Sequence, residues 1–111
     1  MQLSVVIPAY NEARRIGPSL QWVWNYLCVN YGAGCFEILV VDDGSDDSTV
    51  TLVEQFRSHA PDVRLIRFAL NQGKGAAVRA GMVAAVGDAV LFSDADLSTP
   101  IEEVEPALKL I

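Results

Sequence analysis

The sequence predicts an α/β fold, a doubly wound and mostly parallel sheet of about four strands with helices on both faces. Two observations carry this. Strand-like and helix-like apolar patterns alternate along all 111 residues, the order that produces parallel strands joined by helical crossovers. The run Phe36-Glu37-Ile38-Leu39-Val40-Val41 is also almost continuously apolar, as expected for a central strand covered on both faces. At 51% hydrophobic and 20% charged residues, the chain has the material for a packed core and is not disordered.

Each element has its own signal. Leu3-Ser4-Val5-Val6-Ile7 reads as the first strand, closed by Pro8, which has no amide to donate to a ladder. Glu12 to about Tyr31 reads as a helix, with Ile16, Leu20, Val23, Trp24 and Leu27 at helical spacing. Asn11 is the expected N-cap, and Pro18 must lie in an irregular first turn or kink the helix. Tyr31-Gly32-Ala33-Gly34 breaks it. The strand Phe36 to Val41 runs into Asp42-Asp43-Gly44-Ser45, after which Asp47, Ser48 and Thr49 offer caps for a helix carrying Val50, Val53, Glu54 and Phe56. Past Ala60-Pro61, Val63 to Phe68 forms a third strand and Asn71-Gln72-Gly73-Lys74-Gly75 a loop. Ala76 to Val86 is a helix whose small residues allow close packing on the sheet. Ala89 to Phe92 is the fourth strand, Pro100 ends ladder pairing beyond it, and Ile101 to Ile111 begins another helix. This amphipathic end has nothing after it to cover it, so the chain is expected to be the N-terminal part of something longer.

Charge and cysteine usage exclude several classes. The net charge is −6, with eight Lys and Arg against fourteen Asp and Glu, which argues against a nucleic-acid partner because polyanion binding needs a basic face. Cys28 and Cys35 lack zinc-site spacing and read as reduced thiols. Met1-Gln2-Leu3 has no basic leader, and no stretch reaches the roughly 20 apolar residues of a bilayer span. A cytoplasmic location is therefore expected.

The chemistry is expected at one rim. Strand ends of a parallel sheet face one way, so Pro8-Ala9-Tyr10-Asn11-Glu12, Asp42-Asp43-Gly44-Ser45-Asp46 and Ser93-Asp94-Ala95-Asp96 should converge. Asp42 follows directly from an apolar strand, and a carboxylate held there can accept from a nucleobase N–H or a ribose hydroxyl. Asp43, Asp46 and Asp47 read instead as turn and cap residues. Asp94 and Asp96, one residue apart after a strand, offer two hard oxygen donors on one side for a divalent ion that also holds phosphates. Lys74 lies in a glycine loop that is either a phosphate cradle or a plain loop with a solvated lysine. Arg79 is equally readable as a surface residue. His59 reads as a helix C-terminal group, and Trp22 and Trp24 as core and interface residues.

Together, Val5-Val6-Ile7-Pro8-Ala9-Tyr10-Asn11-Glu12, Val40-Val41-Asp42-Asp43-Gly44-Ser45-Asp46-Asp47-Ser48-Thr49 and Asp94-Ala95-Asp96 resemble family 2 glycosyltransferases, which have the GT-A, Rossmann-like fold. Asn71-Gln72-Gly73-Lys74-Gly75-Ala76-Ala77-Val78-Arg79 and Asp94 through Pro100 resemble the dolichyl-phosphate glucosyltransferase branch, close to the mannosyltransferases. The resemblance covers essentially the whole chain and implies that residues 1–111 are the nucleotide-sugar-binding part of a glycosyltransferase domain. It implies that Pro8, Ala9, Tyr10 and Glu12 frame the nucleotide, that Val40 and Asp42 contact the base, and that Asp94 and Ala95 lie at the ribose and diphosphate, with Lys74 beside them. Asp94 and Asp96 would serve Mg2+ or Mn2+. The implied reaction moves a hexose, with inversion, from a nucleotide diphosphate sugar (UDP-glucose before GDP-mannose) to a dolichyl or polyprenyl phosphate, in a full-length enzyme associated with a membrane. The resemblance implies that the acceptor half is expected to lie beyond this sequence, so the catalytic residues are left unassigned. Self-association of the chain is expected from its uncovered apolar edges.

Two other readings use the same residues. One is a non-catalytic piece that binds a nucleotide without turnover. The other is a receiver-type signalling domain of similar length and winding, whose acidic pair should follow the first strand, where this chain has Pro8-Ala9-Tyr10.

Overall fold

A computed structural model describes residues 2–93. Four strands, β1 (Leu3–Ala9), β2 (Phe36–Asp42), β3 (Val63–Arg67) and β4 (Ala89–Phe92), alternate with helices α1 (Ile16–Tyr31), α2 (Thr49–Arg57) and α3 (Lys74–Ala84). The strands form one sheet in the order β3-β2-β1-β4, parallel throughout. The predicted class and strand count hold. The predicted helix from Ile101 to Ile111 lies outside the described residues.

The side-chain alternation of the strands divides the core in two. Leu3, Val5, Ile7, Phe36, Ile38 and Val40 pack with Ile16, Leu20, Val23 and Leu27 of α1 and with Val53 and Phe56 of α2. On the opposite face Val6, Leu39 and Val41 pack against Ala77, Ala80 and Ala84 of α3. That second layer is thin because α3 is built from small residues. A methyl at Gly81 would overlap Val6 Cγ1 and lie 3.2 Å from Val41 Cγ2. Gly81→Ala is therefore expected to lose about 1–3 kcal/mol of stability by overpacking. Urea denaturation checks this, and Val6→Ala in the same chain should recover part of the loss.

Several boundaries differ from the sequence reading, each for a tertiary reason. β1 runs through Pro8 to Ala9 instead of stopping at Pro8. Ala9 O accepts the Asp43 amide, whereas Val6 O accepts the Ser93 amide. Residue 8 thus faces the β4 side, where β4 pairs only as far as Val6, and the missing proline amide breaks no bond to β2. Helix α1 starts at Ile16, four residues after the expected Glu12, because the backbone of residues 11–13 bonds to the neighbouring loop. Pro18 sits in the first turn of α1, where an amide would have no helical partner, so the helix needs no kink. Helix α3 begins and ends two residues before its expected limits. Gly73 caps it at φ 101°, and the Val86 amide is drawn off the helix to Glu37.

That bond belongs to a buried polar cluster at the amino ends of the strands, which the sequence did not signal. Glu37, on the α3 side of β2, has a side chain 3% exposed. It accepts from Ser4 Oγ at 2.6 Å, the Val86 amide at 2.8 Å and Arg64 Nη1 at 2.8 Å. Ser4 Oγ in turn accepts from the Gly87 amide. The cluster ties the α3–β4 connection beneath the sheet.

Trp24 packs edge-on against Phe56 and His59 in the α1–α2 seam, and Trp22 stacks on Tyr26 at the surface. His59 caps no helix with its ring, which lies on Phe56 at a centroid distance of 4.8 Å. Cys28 and Cys35 are free thiols. Burial, and then the Asp62 carboxylate, push the Cys28 thiol up from its usual range.

Candidate functional site

The carboxyl ends of β1 and β2 are level. Ala9 pairs with Asp42 in the register, so Tyr10 and Asp43 leave the sheet side by side. Three loops then bind one another. The Asn11 amide donates to Ser45 Oγ at 2.8 Å and the Asp46 amide returns a bond to Asn11 Oδ1 at 3.0 Å. The Glu12 amide donates to Thr49 Oγ1 at 2.9 Å. Asp47 receives Ala13 and Thr49 amides and the Thr49 hydroxyl. Its slight burial would raise the carboxyl, but these hydrogen bonds outweigh that and hold it below the usual carboxylate range. Asp47 is thus the cap residue the sequence suggested, and Ser48, at the N-cap position, makes no side-chain cap bond.

Asp43 departs from the sequence reading, which took it for a turn residue. It is 4% exposed, and its carboxylate accepts from Gln72 N at 2.6 Å, Gly73 N at 2.9 Å and Asn71 Nδ2 at 3.0 Å. The approach is close. At Gly44, φ 77°, a methyl would sit 2.6 Å from the Asn71 amide nitrogen, so only glycine fits there. The glycine loop before α3 does cradle an anion, as its composition allows. The anion is Asp43, and the Gln72 and Gly73 amides are already taken. Lys74, the first residue of α3, is thereby held beside the β2 loop.

The predicted site residues fall as follows. Pro8 and Ala9 are buried at the end of β1, and Tyr10 is 46% exposed just past it. Glu12 is half-buried, with Oε2 at 3.5 Å from Arg15 Nη1. Val40 is fully buried, with its side chain in the α1–α2 core. Asp42 is 2% exposed. Its Oδ2 accepts the Ser45 amide at 3.0 Å, while Oδ1 is buried and has no partner among the described residues. A buried carboxylate oxygen without a donor is costly. The last described residue, Ser93, donates to Val6 O at 3.0 Å, which brings β4 to its carboxyl end beside β1. Asp94, Ala95 and Asp96 lie outside the described residues.

Asp43 and Asn11 are the residues whose roles the sequence misread, the latter as a helix cap. The only sequence signal for Asp43 was the pairing of Asp-Asp-Gly with Asn-Gln-Gly, and nothing local showed that the two segments meet.

A model of the glycosyl transferase family 2 matches residues 4–111. A dolichyl-phosphate beta-glucosyltransferase of Trichomonas vaginalis is 41% identical over 109 residues, covering 96% of this chain and 32% of its own length. Among solved structures, S. aureus TarS 1-349 in complex with UDP superposes with a TM-score of 0.81 at 26% identity, over 99% of this chain and 32% of that one. The mannosyltransferase PcManGT from Pyrobaculum calidifontis, in complex with GDP-Man and Mn2+, superposes with a TM-score of 0.78 at 30% identity, over 86% of this chain and 27% of that one. The chain spans about a third of the length of the curated relatives it matches.

Proposed function

Because the chain belongs to glycosyl transferase family 2, we propose that its rim binds the nucleotide of a nucleotide diphosphate sugar, as the donor half of an inverting glycosyltransferase. The observation that carries this reading is the buried, unpartnered Oδ1 of Asp42 at the carboxyl end of β2, an acceptor suited to a nucleobase imino N–H or a ribose hydroxyl. In this reading Tyr10 and Glu12, in the loop after β1, would form one wall, and the Lys74 end of α3 another. UDP-glucose is the favoured donor and GDP-mannose the next. The acceptor would be a dolichyl or polyprenyl phosphate, in line with the names of the curated relatives. Such a monoester is largely ionised near neutral pH, with a second pKa of about 6, so it needs no protein base to act as nucleophile.

A divalent ion fits the donor chemistry of Asp94 and Asp96, whose hard oxygens suit Mg2+ or Mn2+. Among the described residues no group of three His, Cys, Asp or Glu could hold a metal. When bound, the ion supplies positive charge against the diphosphate that departs. Asp42 and Tyr10 orient the nucleoside, and Asp43 keeps the α3 end in place. A lipid-linked acceptor puts the reaction at a membrane surface, although no helix among the described residues is long and apolar enough to cross one. The exposed Met82, Val83, Val86 and Phe92 support self-association of this chain.

Calorimetry with UDP-glucose and GDP-mannose, with and without Mn2+, tests the reading. Binding of one donor is expected to require the ion, and Asp96→Ala to lose about 1.4–4 kcal/mol, or 10- to 1,000-fold in affinity. No heat with either donor in the presence of Mn2+ would remove the proposal. Binding by a chain that transfers no sugar to a polyprenyl phosphate would favour the non-catalytic reading.

A further inference from the structure

We infer that Asn11 is a positioning residue for Asp42, acting through Ser45 to aim the unpartnered carboxylate oxygen at the base. This rests on the proposed nucleotide site and deepens it. Asn11 has φ 52°, the one positive value at a non-glycine residue among those described. It is exposed, so no core packing forces this conformation on it. Asparagine enters the left-handed region more readily than other side-chain-bearing residues but at a cost relative to glycine, and here hydrogen bonds on its amide and its side chain hold it there. The bonds here are specific. The Asn11 amide donates to Ser45 Oγ at 2.8 Å, and Asn11 Oδ1 accepts the Asp46 amide at 3.0 Å. The Ser45 amide donates to Asp42 Oδ2 at 3.0 Å.

The relay from Asn11 through Ser45 to Asp42 ends on Oδ1, which is buried and unpartnered among the described residues. A carboxylate with neither oxygen tied rotates freely about its last bond. Fixing Oδ2 from one side settles where Oδ1 points. The Asp43 bonds to residues 71–73 brace the same loop from the other side, leaving Asn11 as the brace on the β1 side.

A turn residue and a positioning residue predict opposite results for Asn11→Gly. Glycine adopts φ 52° without strain, so a turn role predicts unchanged or improved behaviour. The test compares binding of UDP with 3-methyl-UDP, and of GDP with 1-methyl-GDP, in the presence of Mn2+, because the methyl group deletes the imino donor that Asp42 would receive. The wild-type chain should prefer one unmethylated nucleotide by about 10- to 100-fold, the range of a hydrogen bond to a charged group. Asn11→Gly keeps the Asn11 amide but takes Oδ1 from the Asp46 amide and frees φ, and Ser45→Ala keeps the Ser45 amide but removes the Oγ that receives the Asn11 amide. Each should reduce that preference severalfold, and the double variant should go little further, because both loosen the one loop that presents the Ser45 amide to Asp42. The melting temperature of Ser45→Ala keeps the test valid should Asn11→Gly unfold. Wild-type preference in either folded variant overturns the inference, as does a wild-type chain that binds but ignores methylation. A wild-type chain that binds none of the four nucleotides overturns the site itself.

Discussion

Asp42→Asn is expected to lower affinity for the donor nucleotide by about 100-fold while leaving stability within about 1 kcal/mol, because the substitution keeps volume but sets an amide donor against a ligand donor. One oxygen is retained for the Ser45 amide, so the loop should keep its shape. What changes is the open position, where Asp42 Oδ1 has no partner among the described residues. A site built to accept a hydrogen bond discriminates strongly once the acceptor is gone, since a buried group is then left facing its own kind. Calorimetry with UDP and GDP, alongside urea denaturation, separates the two effects. Wild-type affinity in a folded Asp42→Asn chain would take this residue out of the binding site.

Glu37→Ala is expected to have the largest effect on stability, a loss of about 2–4 kcal/mol, since it strips a buried cluster of its common acceptor. The Ser4 hydroxyl and the Val86 amide would lose their bonds beneath the sheet. Arg64 is 43% exposed, so water screens its share, and most of the loss comes from the two shielded donors. The pH dependence follows from the direction of the shift. Burial by itself would raise the Glu37 carboxyl, but bonds from Ser4, the Val86 amide and Arg64 outweigh it and hold the group below its ordinary value. A carboxyl depressed in the folded state contributes stability above its unfolded pKa of about 4.3 and loses it as pH falls through the lower folded value. Asp47 shifts in the same direction, so the diagnostic quantity is the difference between wild type and Glu37→Ala. That difference should be constant from neutral pH down to about 4.5 and shrink below it. A difference that grows on acidification would contradict the assigned bonds.

Both expectations concern carboxylates, yet they were not equally legible. Asp42 was picked out from the chain alone, because an acidic residue directly after Leu39-Val40-Val41 has to leave a buried strand at its carboxyl end. Glu37 sits one residue inside the same strand and gave no signal, since its partners Ser4, Arg64 and Val86 are 33, 27 and 49 positions away. Asp43 was misjudged for a related reason. Asp-Gly-Ser is good local turn chemistry, and only the meeting with residues 71–73, 28 to 30 positions on, turns it into a latch.

The order of elements, the parallel winding and the acidic rim are written in the chain itself, because apolar periodicity and strand-ending residues act within a few positions of one another. Tertiary structure alone decided where Pro8 could remain in a strand, why α1 starts late, which anion fills the glycine loop and which Asp42 oxygen stays open. Each of those depends on hydrogen-bond partners brought together across the sheet, and a donor far along the sequence leaves no local trace of the acceptor it will find.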